Sequence, residues 1–375
     1  MLRIRPRKTL QALGAACAVV VLAATASGCG SGGSEASDGK SQPITFVGPD
    51  KALTAASASY TSVPLAAGYF ADEGLDVKIQ AVDGATSAVK GVVTGNAFMT
   101  YASLASTIAA YHRDPNIRII GMTNGNIFEI AVPGKSSVRK PADLKGKTIG
   151  VPSFTSGSFL YTKGVVKQAG LDPERAVEFL PVGLGAQAAE ALRTGKIDAY
   201  GGWDSPNLVI GDLLKTKMRV LPSPLNDVTG TSTLVVHADT LEEQPKQVAK
   251  LARAFFKAMV FSETNPEAGI GIHFEKFPES RPVGVSKKVA KDQSVRILER
   301  RLELTGGKAS TGGYGKQDIA EVQDTVDAFA KYGIIEEGID LKKVDLVDYS
   351  LAAQYNDFDV RKVRREAREH RTAEG

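Results

Sequence analysis

The sequence has almost no cysteine. Only Cys17 and Cys29 carry a thiol among its 375 residues, and Cys17 lies in an N-terminal leader that we expect to be removed on export. A single remaining cysteine cannot form an internal disulfide. Because Cys29 would begin the exported chain, a thiolate zinc site and a catalytic cysteine are excluded from the folded part.

The common enzyme signatures are also missing. The four histidines are scattered, so no metal site is predicted from His112, His237, His273 and His370. The GKT at 146–148 lacks the glycine five residues earlier that a phosphate loop requires, because Pro141 stands there. Neither GxSxG nor HExxH occurs. We therefore expect a protein that is not an enzyme and that needs neither cofactor nor metal.

An excess of charge is missing from the exported chain as well. The sequence has 46 Lys and Arg against 42 Asp and Glu, and four of the basic residues lie in the leader (Arg3, Arg5, Arg7 and Lys8). The remainder is balanced, which gives no reason to expect a nucleic-acid partner. The basic run RKVRREAREHR at 361–371 is predicted to be the solvated face of a helix.

What is present begins with an export signal at residues 1–28. Its apolar run, Leu10 to Ala26, is too short and wrongly flanked for a membrane span. The ASGC that ends at Cys29 resembles a bacterial lipobox, although Ala26 stands where Leu is usual; an ordinary secretory signal is the alternative. We expect a lipid on Cys29, followed by a flexible Gly- and Ser-rich tether at 29–42.

The rest of the chain alternates short apolar runs with segments of helical period. This alternation predicts an α/β fold with mostly parallel sheets flanked by helices. About 347 residues from Cys29 onward exceed what one core usually supports, so two lobes are expected. Strands are predicted at 44–48, 75–82, 97–102, 117–123, 147–151, 176–182, 198–203 and 218–222, with helices between them.

One order of elements occurs twice. SAVKGVVTGNAF at 87–98 aligns with QAAEALRTGKID at 187–198, and each ends a helix at a glycine before a new strand. Each copy follows a Gly-Leu-Asp, a helix and a hydroxyl-rich loop at a strand end. Chance similarity between α/β units is the alternative to two related lobes.

Ligands bind beyond the carboxyl ends of strands in open α/β sheets. Two extended segments, 127–134 and 231–241, bracket the second copy and suggest a hinge. We therefore predict a first lobe at 43–130 and a second at 131–230. The segment 231–375 would complete the first lobe and add C-terminal helices, with a ligand cleft between the lobes.

Four stretches carry a resemblance to a known family: PLAAGYFADEGLDV (64–77), KPADLKGKTIGV (140–151), AAEALRTGKIDA (188–199) and WDSP (203–206), the last with Ser205 inserted. They resemble the two-lobed, periplasmic-binding-protein-like (type II) substrate-binding proteins of ABC importers. The branch is the one with nitrate-, sulfonate-, taurine- and thiamine-precursor-binding members. The resemblance implies a monomer that closes on a small molecule and delivers it to a membrane permease.

The resemblance also implies two cleft walls. The first would contain Ser59, Tyr60, Ser103 and Asn124, and the second Thr155, Ser156, Gly157, Ser158, Trp203 and Asp204. Each residue has a structural alternative. Residues 156–158 can simply cap a helix, Tyr60 can pack under its loop, and Trp203 can be a core residue. Asp204 can either pair with a ligand amine or cap the helix that follows.

The cleft loops carry neutral polar groups, one acid and neither Arg nor Lys, which favours a neutral or cationic ligand over an anion. The expected function is an extracytoplasmic, lipid-anchored solute-binding protein of an ABC importer. Two alternatives remain: a pyrimidine-synthesising enzyme of the same fold, whose branch carries a cysteine-rich run, and an exported sensor without transport.

Overall fold

The computed structural model describes residues 43–371. The predicted signal peptide, Cys29 and the tether at 29–42 lie outside these residues, as do the last four. None of the helices in the described range has the length and apolar content needed to span a bilayer.

Ten strands lie between residues 43 and 371, and they match the predicted runs closely. They are β1 (Ile44–Gly48), β2 (Val77–Ala81), β3 (Met99–Ser103), β4 (Ile117–Met122), β5 (Phe128–Pro133), β6 (Thr148–Val151), β7 (Glu178–Pro181), β8 (Ala199–Trp203), β9 (Met218–Val220) and β10 (Ser232–His237).

The strands form two sheets with the same plan. The first has the order β2-β1-β3-β10-β4 and the second the order β7-β6-β8-β5-β9. In each sheet four strands point one way and one is reversed, β10 in the first and β5 in the second. The sheets are therefore mixed, with a parallel majority, and both belong to one compact unit.

Each reversed strand is the first strand that the chain forms after it passes from one sheet to the other. After β4 the chain enters the second sheet at β5, and after β9 it returns to the first at β10. The extended segments predicted at 127–134 and 231–241 are thus central strands, each paired on both sides.

Helices surround both sheets. They are α1 (Ser62–Ala66), α2 (Tyr69–Asp72), α3 (Ala85–Val93), α4 (Leu104–Tyr111), α5 (Gly157–Gln168), α6 (Ala186–Arg193), α7 (Asp204–Leu214), α8 (Ala238–Glu243), α9 (Pro245–Thr264), α10 (Pro266–Lys276), α11 (Lys287–Thr305), α12 (Ile319–Tyr332), α13 (Ala352–Tyr355) and α14 (Val360–Glu369).

The sequence repeat corresponds to equivalent elements. SAVKGVVTGNAF covers the end of α3 and its turn before β3, and QAAEALRTGKID covers α6 and its turn before β8. Two residues beyond these helices, Gly95 and Gly195 adopt φ values of 72° and 71°. Glycine reaches this left-handed region without steric cost, so the same turn closes both helices. The repeat predicted from the sequence is a structural repeat.

The C-terminal helices complete the core beside the first sheet. Helix α9 buries Phe255, Phe256 and Phe261. Helix α14 packs Val363 and Ala367 against α9, while the arginines and Lys362 of the basic run are exposed. The prediction of a solvated basic face is therefore confirmed.

Helix α11 is the C-terminal element that matters most for the site. It packs against the 3₁₀ turn Ala55–Tyr60, which follows β1, and also against α7, which follows β8. It thereby contacts elements that belong to both sheets and brings its own side chains to the space between them.

Candidate functional site

A small cavity lies where the carboxyl ends of strands from the two sheets meet. Its volume is about 50 Å³, against roughly 300–1,000 Å³ for typical small-molecule pockets. It is lined by Pro49, Asp50, Tyr60, Gly84, Ala85, Tyr101, Ala102, Ser103, Ile127, Phe128, Ser156, Gly157, Ser158, Trp203, Ser232 and Arg301.

The loops of the two halves touch each other around this cavity. A Cβ atom at Gly157 would lie 2.6 Å from Ser103 Oγ, so the start of α5 approaches the end of β3 as closely as a glycine allows. At the rim, Thr155 Oγ1 donates to the carbonyl of Asp83 at 3.3 Å. These contacts describe a closed arrangement.

Six of the ten predicted ligand-contact residues line the cavity: Tyr60, Ser103, Ser156, Gly157, Ser158 and Trp203. The other four, Ser59, Asn124, Thr155 and Asp204, do not. Thr155 is exposed at the rim, and Ser59 is buried in the 3₁₀ turn beside Tyr60. Asn124 instead supports the loop after α11, because its Nδ2 donates to the carbonyl of Gly306 at 2.6 Å.

Hydroxyl groups start a helix on each side of the cavity. Ser156 Oγ accepts from the Phe159 N–H at 3.2 Å and caps α5, and Ser103 Oγ accepts from the Ser106 N–H at 3.2 Å and caps α4. A helix leaves its first N–H groups without partners inside the helix. The capping and ligand-facing interpretations of Ser156 therefore do not exclude each other, since one side chain caps the helix and borders the cavity.

The aromatic residues divide between packing and lining. The Tyr60 ring packs against Tyr101, with ring centroids 4.8 Å apart, and against Phe255 at 6.1 Å. Tyr60 is thus held under its loop, as one of the two alternatives predicted, with its hydroxyl near the cavity. Trp203 is half-buried at the end of β8, opposite Phe128 of β5, and both residues border the cavity.

The cavity is also lined by two charged residues that were not predicted from the sequence. Arg301 comes from α11, so the expectation of a cleft without Arg or Lys is wrong. It was based on the loops at the strand ends, whereas Arg301 is brought in by helix packing from the C-terminal region. Asp50 lies two residues beyond β1, and its position past the carboxyl end of a strand was the signal that could have found it.

The Arg301 charge is already matched. Its Nη2 lies 2.6 Å from Asp204 Oδ1 and its Nε 3.0 Å from Asp204 Oδ2, and both side chains are almost fully buried. Burial alone would lower the pKa of Arg301, but the Asp204 carboxylate outweighs it and the pKa is raised. Asp204 is therefore neither the helix cap nor a free acid, because this ion pair occupies its carboxylate.

Asp50 is the less satisfied acid. Its Oδ2 accepts from the Tyr60 hydroxyl at a long 3.4 Å. Burial raises the pKa of Asp50 to about 6, against the combined effect of the nearby Arg301 charge and the Tyr60 hydrogen bond.

Similar proteins were found by sequence and by structure. A putative binding protein of Brucella abortus (strain 2308) is 26% identical over 232 residues, which is 60% of this chain and 67% of that protein. A formylaminopyrimidine-binding protein of Halalkalibacterium halodurans is 22% identical over 283 residues, covering 72% of this chain and 81% of its own.

Among solved structures, the alkanesulfonate-binding protein SsuA of Xanthomonas axonopodis pv. citri, bound to MOPS, superposes with a TM-score of 0.59. It is 16% identical, and the match covers 82% of this chain and 98% of SsuA. This likeness confirms the predicted two-lobed, periplasmic-binding-protein-like fold. The family model described as NMT1/THI5 like matches residues 62–269, more than half of the sequence, and so the chain belongs to the NMT1/THI5-like family.

Proposed function

We propose that this protein is a solute-binding protein that captures a small molecule between its two lobes and delivers it to an ABC permease. The observation that carries the proposal is the cavity between the strand ends of both sheets, bordered by capped helix starts and by Trp203. Relatives named as binding proteins support the same class of function.

The lobes of the proposal follow the sheets. One lobe contains β1–β4, β10 and the C-terminal helices, and the other contains β5–β9. The chain changes lobe between Met122 and Phe128 and again between Val220 and Ser232, close to the predicted boundaries at 130 and 230. These two short segments are the proposed hinge.

Closure is the proposed mechanism. A ligand that contacts both walls stabilises the closed form over the open one, and its differential affinity sets how far the equilibrium moves. The contacts between Thr155 and Asp83, and between Gly157 and Ser103, would be broken when the lobes separate. The permease would then bind the closed form, in which the two lobe surfaces have a fixed relation.

Export and anchoring complete the proposal. Cys29 would carry the lipid, and residues 29–42 would tether a monomeric receptor to the outer face of the bacterial cell membrane.

The binding function is tested by titrating the protein with sulfonates, nitrate, amines, amidines and pyrimidines. Trp203 is the only tryptophan in the sequence, so its fluorescence reports directly on the proposed cleft. A compound that binds only the folded state also raises the melting temperature. The Trp203→Phe variant should lose the fluorescence change and keep a rise in melting temperature. If no compound class changes either signal, the proposed function is wrong.

A further inference from the structure

The Asp50 carboxylate has capacity to bind a further donor. It is partly buried in the cavity wall, two residues after the end of β1. Among residues 43–371 its only hydrogen-bond partner is Tyr60, at 3.4 Å, and it has no ion-pair partner there. An ionised carboxylate has about four acceptor positions, so most of them have no protein donor.

The other charge in the cavity wall does not satisfy Asp50. Arg301 makes its short contacts with Asp204, at 2.6 and 3.0 Å, and with the hydroxyl of Ser205 at 3.1 Å. Of the described residues that line the cavity, only Asp50 and Arg301 carry a formal charge. Asp204 neutralises Arg301 but does not itself line the cavity. With Asp50 ionised, the site therefore carries one negative charge in excess.

This balance selects against anions. Burying a charge is costly unless it is paired, and a bound sulfonate or nitrate would add a second unmatched negative charge beside Asp50. A donor group on the ligand would instead satisfy the carboxylate. The raised pKa of Asp50 agrees with this, since burial acts on it and the partial compensation comes only from Arg301 and Tyr60, while Asp204 adds to the increase.

The remaining walls indicate the rest of the ligand. Phe128 and Trp203 come from the second sheet, and Tyr60 and Tyr101 from the first half. Aromatic walls of this kind suit a flat, largely apolar ring. The hydroxyls of Ser103 and Ser156 already donate to Ser106 Oγ and to the Ser153 carbonyl, so towards a ligand they can serve only as acceptors.

We propose that Asp50 is the specificity-determining residue of the cleft, and that it binds an amine or amidine N–H group on a small aromatic or heteroaromatic ligand. The proposal rests on the proposed function, because it concerns the same cleft. It extends that function by assigning the ligand class and by predicting that the cleft discriminates against sulfonates and carboxylates.

The test compares two probes of nearly the same shape and opposite charge, benzamidine and benzoate, with benzenesulfonate as a third. Binding is measured at pH 7.5 by calorimetry and by Trp203 fluorescence. We expect saturable binding of benzamidine and none of the two anions at the same concentrations. Asp50→Asn should weaken benzamidine binding about 10- to 100-fold, the range expected for a hydrogen bond to a charged group.

The matched control is Asp76→Asn, which makes the same chemical change at an exposed carboxylate before β2. It should leave benzamidine binding unchanged. Circular dichroism and melting temperature establish that both variants are folded. Equal binding by wild type and Asp50→Asn, or no binding of benzamidine, would overturn the assignment.

A wrong ligand class and a wrong binding function give different results. If a sulfonate or nitrate binds and quenches Trp203, and Asp50→Asn binds it as well or better, the ligand class is wrong and the binding function stands. If no compound in the wider titration binds, both proposals fail.

Discussion

At the scale of single residues, the site is organised by two acids in different states. Asp204 is fully buried and paired with Arg301, whereas Asp50 is partly buried and has only a long hydrogen bond from Tyr60. The same side-chain type therefore serves two roles. Asp204 holds a cation in the wall, and Asp50 presents a charge to the cavity.

The pKa of Asp50 predicts a pH effect on folding. Its value is about 6 in the folded protein against an ordinary value of 3.8. Between these two values the folded form keeps a proton that the unfolded form has released, so this group makes the free energy of unfolding fall as the pH rises from about 4 to 6. Asp50→Asn lacks this contribution. Denaturant unfolding at pH 4 and pH 7 should show the variant gaining stability relative to wild type at pH 7.

A constant difference between the two proteins at both pH values would contradict this expectation. Asp76→Asn again serves as the control, because its carboxylate is exposed.

The buried ion pair predicts a large loss on removal of one partner. Asp204→Asn leaves the Arg301 guanidinium buried without its counter-charge, and breaking such a pair costs about 3–5 kcal/mol. Asp212 forms an exposed pair with Arg296 at 2.8 Å between the same two helices, α7 and α11. Asp212→Asn should cost about 0–1 kcal/mol. Urea unfolding measures the free energy of unfolding of both variants. Equal decreases would show that the buried Asp204–Arg301 pair stabilises the fold no more than the exposed pair does.

At the scale of elements, the repeat explains why so much of the fold could be predicted. Gly74 and Gly170 end helices with φ values of 71° and 79°. In both copies the N–H of the next leucine bonds back to the helix, Leu75 to Phe70 and Leu171 to Val166. These turns are determined by a few neighbouring residues, so their sequence signal is local and easy to read. The strand ends, and with them most of the hydroxyl-rich loops, follow from the same pattern.

The site itself was only partly predictable, for a physical reason. Ser103 and Trp203 end strands and Ser156 caps the helix that follows β6, so their positions depend on local structure. Arg301 lies in the last turns of α11, and nothing in the neighbouring sequence distinguishes it from Arg300, which does not line the cavity. Its role depends on packing between α11, the 3₁₀ turn at 55–60 and α7. Such long-range packing leaves no periodic signal in one sequence.

The start of α5 predicts a variant that impairs closure. Gly157→Ala would place a Cβ atom 2.6 Å from Ser103 Oγ and 2.7 Å from Ser103 Cβ. Overpacking of this kind costs about 1–3 kcal/mol. The two tight contacts with Ser103 belong to the closed form, whereas a looser one with Phe128 Cζ at 3.2 Å lies within the second half and persists in both forms. We expect ligand affinity to fall about 10- to 100-fold, measured by calorimetry with whichever compound binds the wild type.

The control for this variant is Gly91→Ala inside α3. A Cβ there would lie 3.4 Å from Ala97 Cβ, an ordinary contact, and alanine favours the helix. Its affinity should equal that of the wild type. Unchanged affinity in Gly157→Ala would show that the two loops need not approach each other to bind.

At the scale of the whole molecule, the two five-stranded sheets share one plan, and each contains one reversed strand that the chain forms when it passes from the other sheet. The first sheet receives β10 after the second is finished, and the second receives β5 as the chain leaves the first. Two connections therefore join the two sheets, and they are the segments that we propose as the hinge.

This geometry predicts a ligand-dependent change of size. A folded chain of this length has a radius of gyration of about 20 Å. In small-angle scattering, saturation with a binding compound should reduce the radius of the wild type, because the compound shifts the population towards the closed form. Gly157→Ala should keep the larger radius at the same compound concentration. A radius that stays constant at full saturation would rule out closure.

The two charges of the cleft reach it from outside the stretch by which the family is detected. The family match spans 62–269, whereas Asp50 precedes it and Arg301 follows it. Residues 62–269 thus supply most of the cavity wall, and the segments before and after them supply its two charged residues, to one of which we assign the selectivity. Two relatives can share this part of the wall and bind ligands of opposite charge. The segments before and after the family match should therefore be compared first when a binding preference is transferred from one relative to another.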